Sequence, residues 1–208
     1  MIDPHLVDYL RGFVPPRDEL LHELERYAEE KYVPILDLTS VSFLQVLLKI
    51  VRPQAILELG TAIGYSATVM AQASEARVTT IERDPERAAV ARSTFARAGL
   101  EERIEFLEGD AFDLIEGLGV YDFIFLDAAK GQYPRFLELL GPHLRAGGVL
   151  LTDNVLFHGM VSGEQEIKPR LKTIVQRLRD YNRLLAEHPD YETTFLPLGD
   201  GVAISVKK

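Results

Sequence analysis

Residues 55–66, reading A-I-L-E-L-G-T-A-I-G-Y-S, constrain this chain more than any other stretch. An apolar run at Ala55, Ile56 and Leu57 leads through Glu58 and Leu59 to two glycines, Gly60 and Gly64, and a helix beginning near Ser66. An apolar run, a glycine turn and a helix start are the first strand and loop of an open α/β sheet. Glycine is needed where the chain reverses tightly and where a ligand lies against bare backbone. The spacing is E-x-G-x-x-x-G, without the G-x-G-x-x-G of dinucleotide sites, which counts against a nicotinamide-dependent oxidoreductase. An ordinary glycine turn is the plain alternative.

The residues that follow alternate regularly. The pattern predicts a helix over 66–73, a strand over 77–82, a helix over 85–98 stopped by Gly99, and a strand over 104–108. A strand over 121–126, a helix over 133–140 and a strand over 149–152 come next. Such alternation gives a mostly parallel sheet with helices on both faces. Ligands of these sheets sit at the carboxyl ends of the strands. Those ends carry Glu58, Glu82, Asp110, Asp127, and Asp153 with Asn154, a costly gathering unless ligands or a cation use it.

Upstream, residues 1–16 read as a polar, proline-marked lead-in. Leu20, Leu24 and Tyr27 predict a helix over 18–31. Thr39 or Ser40 would cap a second one, with Leu44, Leu47, Leu48 and Val51 on one face and a stop at Arg52-Pro53. At 208 residues and 47% hydrophobic, the chain suits one domain, with residues 1–52 as N-terminal helices and 53–208 as the core. Without cysteine, disulfides, thiolate metal sites and cysteine nucleophiles are excluded. No apolar run approaches the roughly 18 residues of a membrane span and no signal peptide is visible, so a cytoplasmic protein is expected. The formal charge of −9 argues mildly against a nucleic-acid partner, although net charge ignores where the charges sit.

The opening motif resembles the first motif of S-adenosylmethionine (SAM) methyltransferases, where an acidic residue ends the strand and the glycine turn faces the methionine part of the cofactor. Glu82 stands 24 residues beyond Glu58, close to the spacing at which an acidic residue grips ribose hydroxyls. Its plain alternative is a helix-start residue, because Asp84-Pro85 follows. Asp110 suits capping a short helix as well as facing the adenine. Asp127, Asp153 and Asn154 are hard oxygen donors suited to Mg²⁺ or Ca²⁺. A turn after a strand would also explain Asp153-Asn154.

D-A-A-K-G-Q-Y at 127–133 and T-D-N-V at 152–155 resemble the cation-dependent O-methyltransferases, the family of catechol and caffeoyl-CoA methyltransferases. The resemblance runs from about Val33 to the end and implies a Rossmann-like SAM methyltransferase fold. It implies that Asp127, Asp153 and Asn154 bind Mg²⁺, and that Lys130 lies beside the reacting hydroxyl, so that Lys130 and Asp127 carry the catalysis. By the same resemblance Glu82 holds the ribose hydroxyls, and Val41, Glu58, Gly60, Ser66, Asp110, Ala111 and Asp127 face the cofactor. Members are commonly homodimers, which is the expectation here.

The last quarter adds a glycine-bearing loop over 155–166, with Phe157 and His158, and a long helix over 168–187. Strands over 191–196 and 202–206, joined by Gly199-Asp200-Gly201, predict a C-terminal antiparallel hairpin. D-N-V-L-F-H-G, K-P-R, H-P-D-Y and L-G-D-G-V-A-I-S resemble the bacterial subgroup that methylates 5-hydroxyuridine at the wobble position of tRNA, giving 5-methoxyuridine. The helix carries Lys168, Arg170, Lys172, Arg177, Arg179 and Arg183 against Asp180 alone between its first and last cation. On an otherwise acidic chain this is a phosphate-binding candidate for an anticodon loop, with a solvated face as the plain alternative. A catechol-type enzyme acting on a small molecule at the same site is the other reading.

Overall fold

Asp18, Asp37 and Asp84 each end an extended stretch and start a helix by accepting backbone N–H groups. The computed structural model describes residues 4–163 and 167–208. Residues 1–3 of the lead-in and 164–166 of the expected loop lie outside them. Within the lead-in, Pro4–Arg11 is a helix, α1, with a proline at its first position. Its Leu6, Tyr9 and Leu10 stay exposed, as does Phe13 just beyond it, so no buried stripe announces it. α2 (Glu19–Lys31) buries Leu21, Leu24 and Ala28. α3 (Leu38–Val51) is capped by Asp37, not by Thr39 or Ser40. The reason is local, since the Asp37 carboxylate accepts both Thr39 N–H at 2.9 Å and the Thr39 hydroxyl at 2.5 Å.

The chain divides into two compact units, one ending at Leu114 and the other formed by Ile115–Lys208. The N-terminal helices belong to the first unit because α1 packs on α3 and α3 on α4 (Tyr65–Ala73), while α2 packs on α5 (Pro85–Ala98). The strands of this unit are β1 (Ala55–Leu59), β2 (Arg77–Glu82) and β3 (Ile104–Glu108), parallel and in the order β3-β2-β1. Ile56 pairs with Val78, which pairs with Ile104, setting the register. A short α6 (Ala111–Leu114) closes the unit.

The second unit holds β4 (Tyr121–Leu126), α7 (Tyr133–Leu140), β5 (Leu144–Thr152), α8 (Lys172–Ala186), β6 (Tyr191–Leu196) and β7 (Val202–Lys207). Its strand order is β4-β5-β7-β6, with β7 antiparallel to both neighbours. β5 begins five residues before the expected 149, and its register against β4 jumps from Tyr121–Leu144 to Phe123–Val149. Gly148 permits this irregularity, since a Cβ there would lie 2.6 Å from Leu144 Cδ1 and 2.9 Å from the Arg145 carbonyl. α8 starts at Lys172 because Lys168-Pro169 opens a separate turn, Pro169–Leu171. The seven strands make the mostly parallel sheet with a C-terminal antiparallel hairpin that the alternation predicts. Among the described residues no helix is long and apolar enough to cross a membrane.

Candidate active site

In the first unit the glycine turn after β1 is tied to the neighbouring strand ends. Gly60 and Thr61 N–H both donate to the Ile81 carbonyl at 3.1 Å, and Gly109 N–H donates to the Glu82 carbonyl at 2.9 Å. The turn is left-handed at Gly60 (φ 101°), Ala62 (φ 48°) and Gly64 (φ 85°). Gly64 is also required by packing, because a Cβ would come within 2.8 Å of the Phe95 ring. The Glu82 carboxylate fixes the turn. Its Oε2 accepts Ala62 N–H at 2.9 Å, and its Oε1 accepts Arg83 N–H at 3.0 Å and Asp84 N–H at 2.9 Å. A carboxylate offers about four lone-pair positions, so roughly one remains, on Oε2. Glu82 therefore has room for one ribose hydroxyl and would have to share an acceptor position to take both.

Glu58 departs from expectation. It has no exposed surface, and its two oxygens accept the Ser66 hydroxyl and, at 2.5 Å, the Thr80 hydroxyl, which also bonds Thr61. A group sealed in this way cannot face a ligand; it holds the first turn of α4 to β1 and β2. Burial pushes its pKa up to about 7. Val41 is also wholly buried, and Ser66 spends its hydroxyl on Glu58. Gly60, Asp110 and Ala111 keep partial exposure. Asp110 caps α6 through Phe112 N–H at 3.0 Å and faces Arg83 at 3.7 Å, so the capping alternative for this residue is realised.

In the second unit the ends of β4 and β5 bring Asp127, Lys130, Asp153 and Asn154 together. Asp153 N–H donates to the Leu126 carbonyl at 3.1 Å, and the Tyr133 hydroxyl donates to the Asp153 carbonyl at 3.1 Å. Asn154, left-handed at φ 59°, donates its N–H to Asp153 Oδ1 at 2.7 Å. Asp153 is 5% exposed, and burial, followed by the charge of Asp127, pushes its pKa up to about 8. Lys130 opposes that rise, with its Nζ 3.7 Å from Asp127 Oδ1. A buried carboxylate crowded by a second one, beside an amide oxygen, fits a hard divalent cation, whose charge would relieve the repulsion. Among the described residues no group of three or more His, Cys, Asp or Glu side chains forms a metal set, so any cation here depends on the amide of Asn154 or on water and substrate.

α8 supplies residues that the sequence did not reveal as part of the site. Arg177 donates to the Gly131 carbonyl at 2.9 Å, next to Lys130. Arg179 donates to the Val161 and Met160 carbonyls at 2.9 and 3.2 Å. Asn182 donates to the Val155 carbonyl at 2.8 Å, and the Tyr181 and Thr152 hydroxyls meet at 2.7 Å. The available signal was a tyrosine inside the apolar stripe Val175, Leu178, Tyr181 and Leu185, since a buried hydroxyl needs a partner. Lys168, Arg170, Lys172 and Arg183 remain exposed.

The O-methyltransferase family matches residues 14–208. The chain belongs to that family. The catechol O-methyltransferase of Niastella koreensis is 32% identical, over 98% of this chain and 96% of its own length. The O-methyltransferase of Bacillus cereus, solved with SAH, matches at TM-score 0.85 and 32% identity, covering 98% of this chain and 97% of that one. The Streptomyces achromogenes O-methyltransferase TomG, involved in tomaymycin synthesis and solved with SAM, matches at TM-score 0.85 and 26% identity, covering 98% and 96%. The fold is the Rossmann-like methyltransferase fold, and the activity class of this O-methyltransferase is SAM-dependent methyl transfer to oxygen.

Two predictions follow from the first unit of the O-methyltransferase. Glu82→Ala removes a charged acceptor worth roughly 1.5–3 kcal/mol per bond. Calorimetry should show SAM binding weakened about tenfold or more, and the melting temperature should fall too, because three backbone N–H groups lose their partner. An unchanged dissociation constant for SAM would leave Glu82 as a clamp only. Glu58 is an acid whose pKa rises on folding, so its contribution to stability is complete below about pH 4.5 and is lost as pH rises through about 7. Glu58→Gln escapes this loss. Its unfolding free energy relative to wild type should rise by roughly 2–4 kcal/mol across that window in urea titrations, and a pH-independent difference would place the carboxylate's ionisation outside it.

Proposed function

We propose that this enzyme transfers the SAM methyl group to one of two adjacent oxygens on a planar ring, with a divalent cation, Mg²⁺ by its donor set, bound at Asp127, Asp153 and Asn154. The observation that carries this reading is the buried Asp153 beside Asp127, with Lys130 the cation nearest them. A bound cation would hold both acceptor oxygens and favour the deprotonated nucleophile. Lys130, on the turn after β4, takes up or steers the hydroxyl proton. Glu82, Gly60 and the half-exposed Asp110 and Ala111 hold the cofactor. Most of the acceleration comes from fixing donor and acceptor in line. The same reading takes the enzyme to be cytoplasmic and, as the family resemblance implies, a homodimer.

A small catechol-like acceptor is supported by the relatives, among them the Niastella koreensis catechol enzyme and a caffeoyl-CoA O-methyltransferase of Populus kitakamiensis. A second acceptor, 5-hydroxyuridine in a tRNA anticodon loop, is favoured by a specific observation, the four exposed cations Lys168, Arg170, Lys172 and Arg183. Its 5-hydroxyl and C4 carbonyl offer the same adjacent oxygens as a catechol, and anticodon bases are already unpaired and can be splayed into a pocket. Arg177 and Arg179 each already donate to loop carbonyls, so the other four cations are the ones tested.

EDTA should abolish methyl transfer reversibly, with Mg²⁺ restoring it, and Asp153→Ala should abolish it outright. Full turnover in EDTA would sink the chelation mechanism. The acceptor is decided by assaying catechol and hydroxylated tRNA side by side, in wild type and with Lys168, Arg170, Lys172 and Arg183 all changed to Gln. If tRNA is the substrate, its binding should weaken for every tRNA sequence and its salt slope fall by about one per lost contact, while catechol turnover holds. Equal tRNA turnover before and after would mean that these cations are merely solvated.

A further inference from the structure

The loop after Asn154 adopts a backbone that its side chains disfavour. Asn154, Phe157 and His158 lie at φ 59°, 45° and 54°, followed by Gly159 at φ 77°. Asparagine tolerates the left-handed region, but successive Phe and His residues there are rare and persist only when their surroundings over-determine them. The turn between β6 and β7 does so. Four consecutive N–H groups converge on it: Val155 donates to the Gly201 carbonyl at 3.0 Å, Leu156 and Phe157 to the Asp200 carbonyl at 3.0 and 3.2 Å, and His158 to Asp200 Oδ1. The His158 ring adds a second contact, Nδ1 at 3.2 Å from the same Oδ1. The approach is close enough to demand glycine at 201, where a Cβ would overlap Leu156, 2.2 Å from its Cγ and 2.7 Å from its backbone nitrogen.

We propose that Asp200 is a positioning residue for the acceptor side of the reaction: by accepting the His158 N–H it holds the 155–158 loop in its left-handed course and so fixes the backbone from which Asn154 offers its amide oxygen. Asp200 touches none of the reacting atoms. It acts through the loop, because Asn154 is anchored on one side to Asp153 and on the other to Val155, the first residue the turn holds. Asn182 grips the same peptide from α8 through the Val155 carbonyl, so both polar groups of that residue are tied down. The hairpin at the C-terminal end of the chain thereby becomes part of the catalytic apparatus. What the position requires is an acceptor at Oδ1, which an amide oxygen supplies as well as a carboxylate oxygen does. This inference rests on the proposed role of Asn154.

The experiment compares Asp200→Ala, Asp200→Asn and Asp200→Glu in the full-length protein. Asp200→Ala should lower kcat at least tenfold while the dissociation constant for SAM, from calorimetry, stays within about twofold. Asp200→Asn keeps an oxygen at the same place and should recover kcat to within about threefold of wild type. Asp200→Glu moves the oxygen by one methylene and should fall between the two; it carries the comparison if the alanine variant does not fold. Mn²⁺ titrated into the SAM-loaded protein and followed by electron paramagnetic resonance should bind more weakly to Asp200→Ala than to Asp200→Asn. Wild-type kcat in Asp200→Ala overturns the proposal, and so does an Asp200→Asn variant as impaired as Asp200→Ala. Failure of the cation reading would show separately, as wild-type turnover in EDTA, and the kcat comparison would still decide the role of Asp200.

Discussion

Glu82 is the carboxylate on which the glycine turn after β1, the proposed cofactor side, depends. One side chain gathers the N–H groups of Ala62, Arg83 and Asp84, and bonds of this charge-assisted kind are about twice as strong as neutral ones. Ala62 is a non-glycine residue in a left-handed conformation, and its N–H lands on Oε2. The turn that exposes backbone to a ligand is thus held open by the residue expected to bind that ligand. Gly60 and Thr61 on the Ile81 carbonyl, and Gly109 on the Glu82 carbonyl, extend the same bracing across the ends of β1, β2 and β3. Binding then starts from an ordered cradle and does not have to create one.

The acceptor side is ordered by a different means. Here the carboxylates repel one another, so the bracing comes from neutral or cationic donors that reach carbonyls. Tyr133 takes the Asp153 carbonyl, Asn182 the Val155 carbonyl, Arg177 the Gly131 carbonyl, and Arg179 the carbonyls of Met160 and Val161. Three of the four lie on α8, which buries Val175, Leu178, Tyr181 and Leu185 on its apolar face. A helix held by that face can act as a rigid rod against which the turn after β4 and the loop after β5 are registered.

What the sequence disclosed, and what it hid, follows from this division of labour. β2, α5, β3, β4, α7 and β6 fall on the residues that periodicity predicts, and all but β2 are followed directly by Gly, Pro or Asp. α1 was missed because its apolar residues face solvent, and the first part of β5 because two glycines interrupt the pattern. Asp127, Asp153 and Asn154 stand out in the sequence because they sit at strand ends, whereas Lys130 is pointed to only by the resemblance that D-A-A-K-G-Q-Y carries. Glu58 was assigned to the cofactor when its work is internal, since spacing cannot distinguish a carboxylate facing a ligand from one facing two hydroxyls across a strand. Arg177 and Arg179 hid for a related reason: an arginine on an amphipathic helix reads as surface whether its guanidinium meets water or a carbonyl.

The carbonyl bonds of Arg177 and Arg179 bear on the acceptor. Six cations on one segment suggest a strong polyanion site, but two of them are committed to loop carbonyls, leaving four. Four phosphate contacts to a single-stranded loop give a salt slope of roughly −3, which corresponds to about a sixtyfold loss of affinity between 50 and 200 mM salt. Such a surface would steer and retain a tRNA at physiological ionic strength without binding it tightly, on a chain whose net charge of −9 opposes unspecific association. A small phenol needs none of it. The residues proposed to lie nearest the chemistry cannot separate the two acceptors, because a catechol and a 5-hydroxyuracil present the same pair of oxygens; in the tRNA reading the difference would be carried by Lys168, Arg170, Lys172 and Arg183, which that reading keeps out of the chemistry.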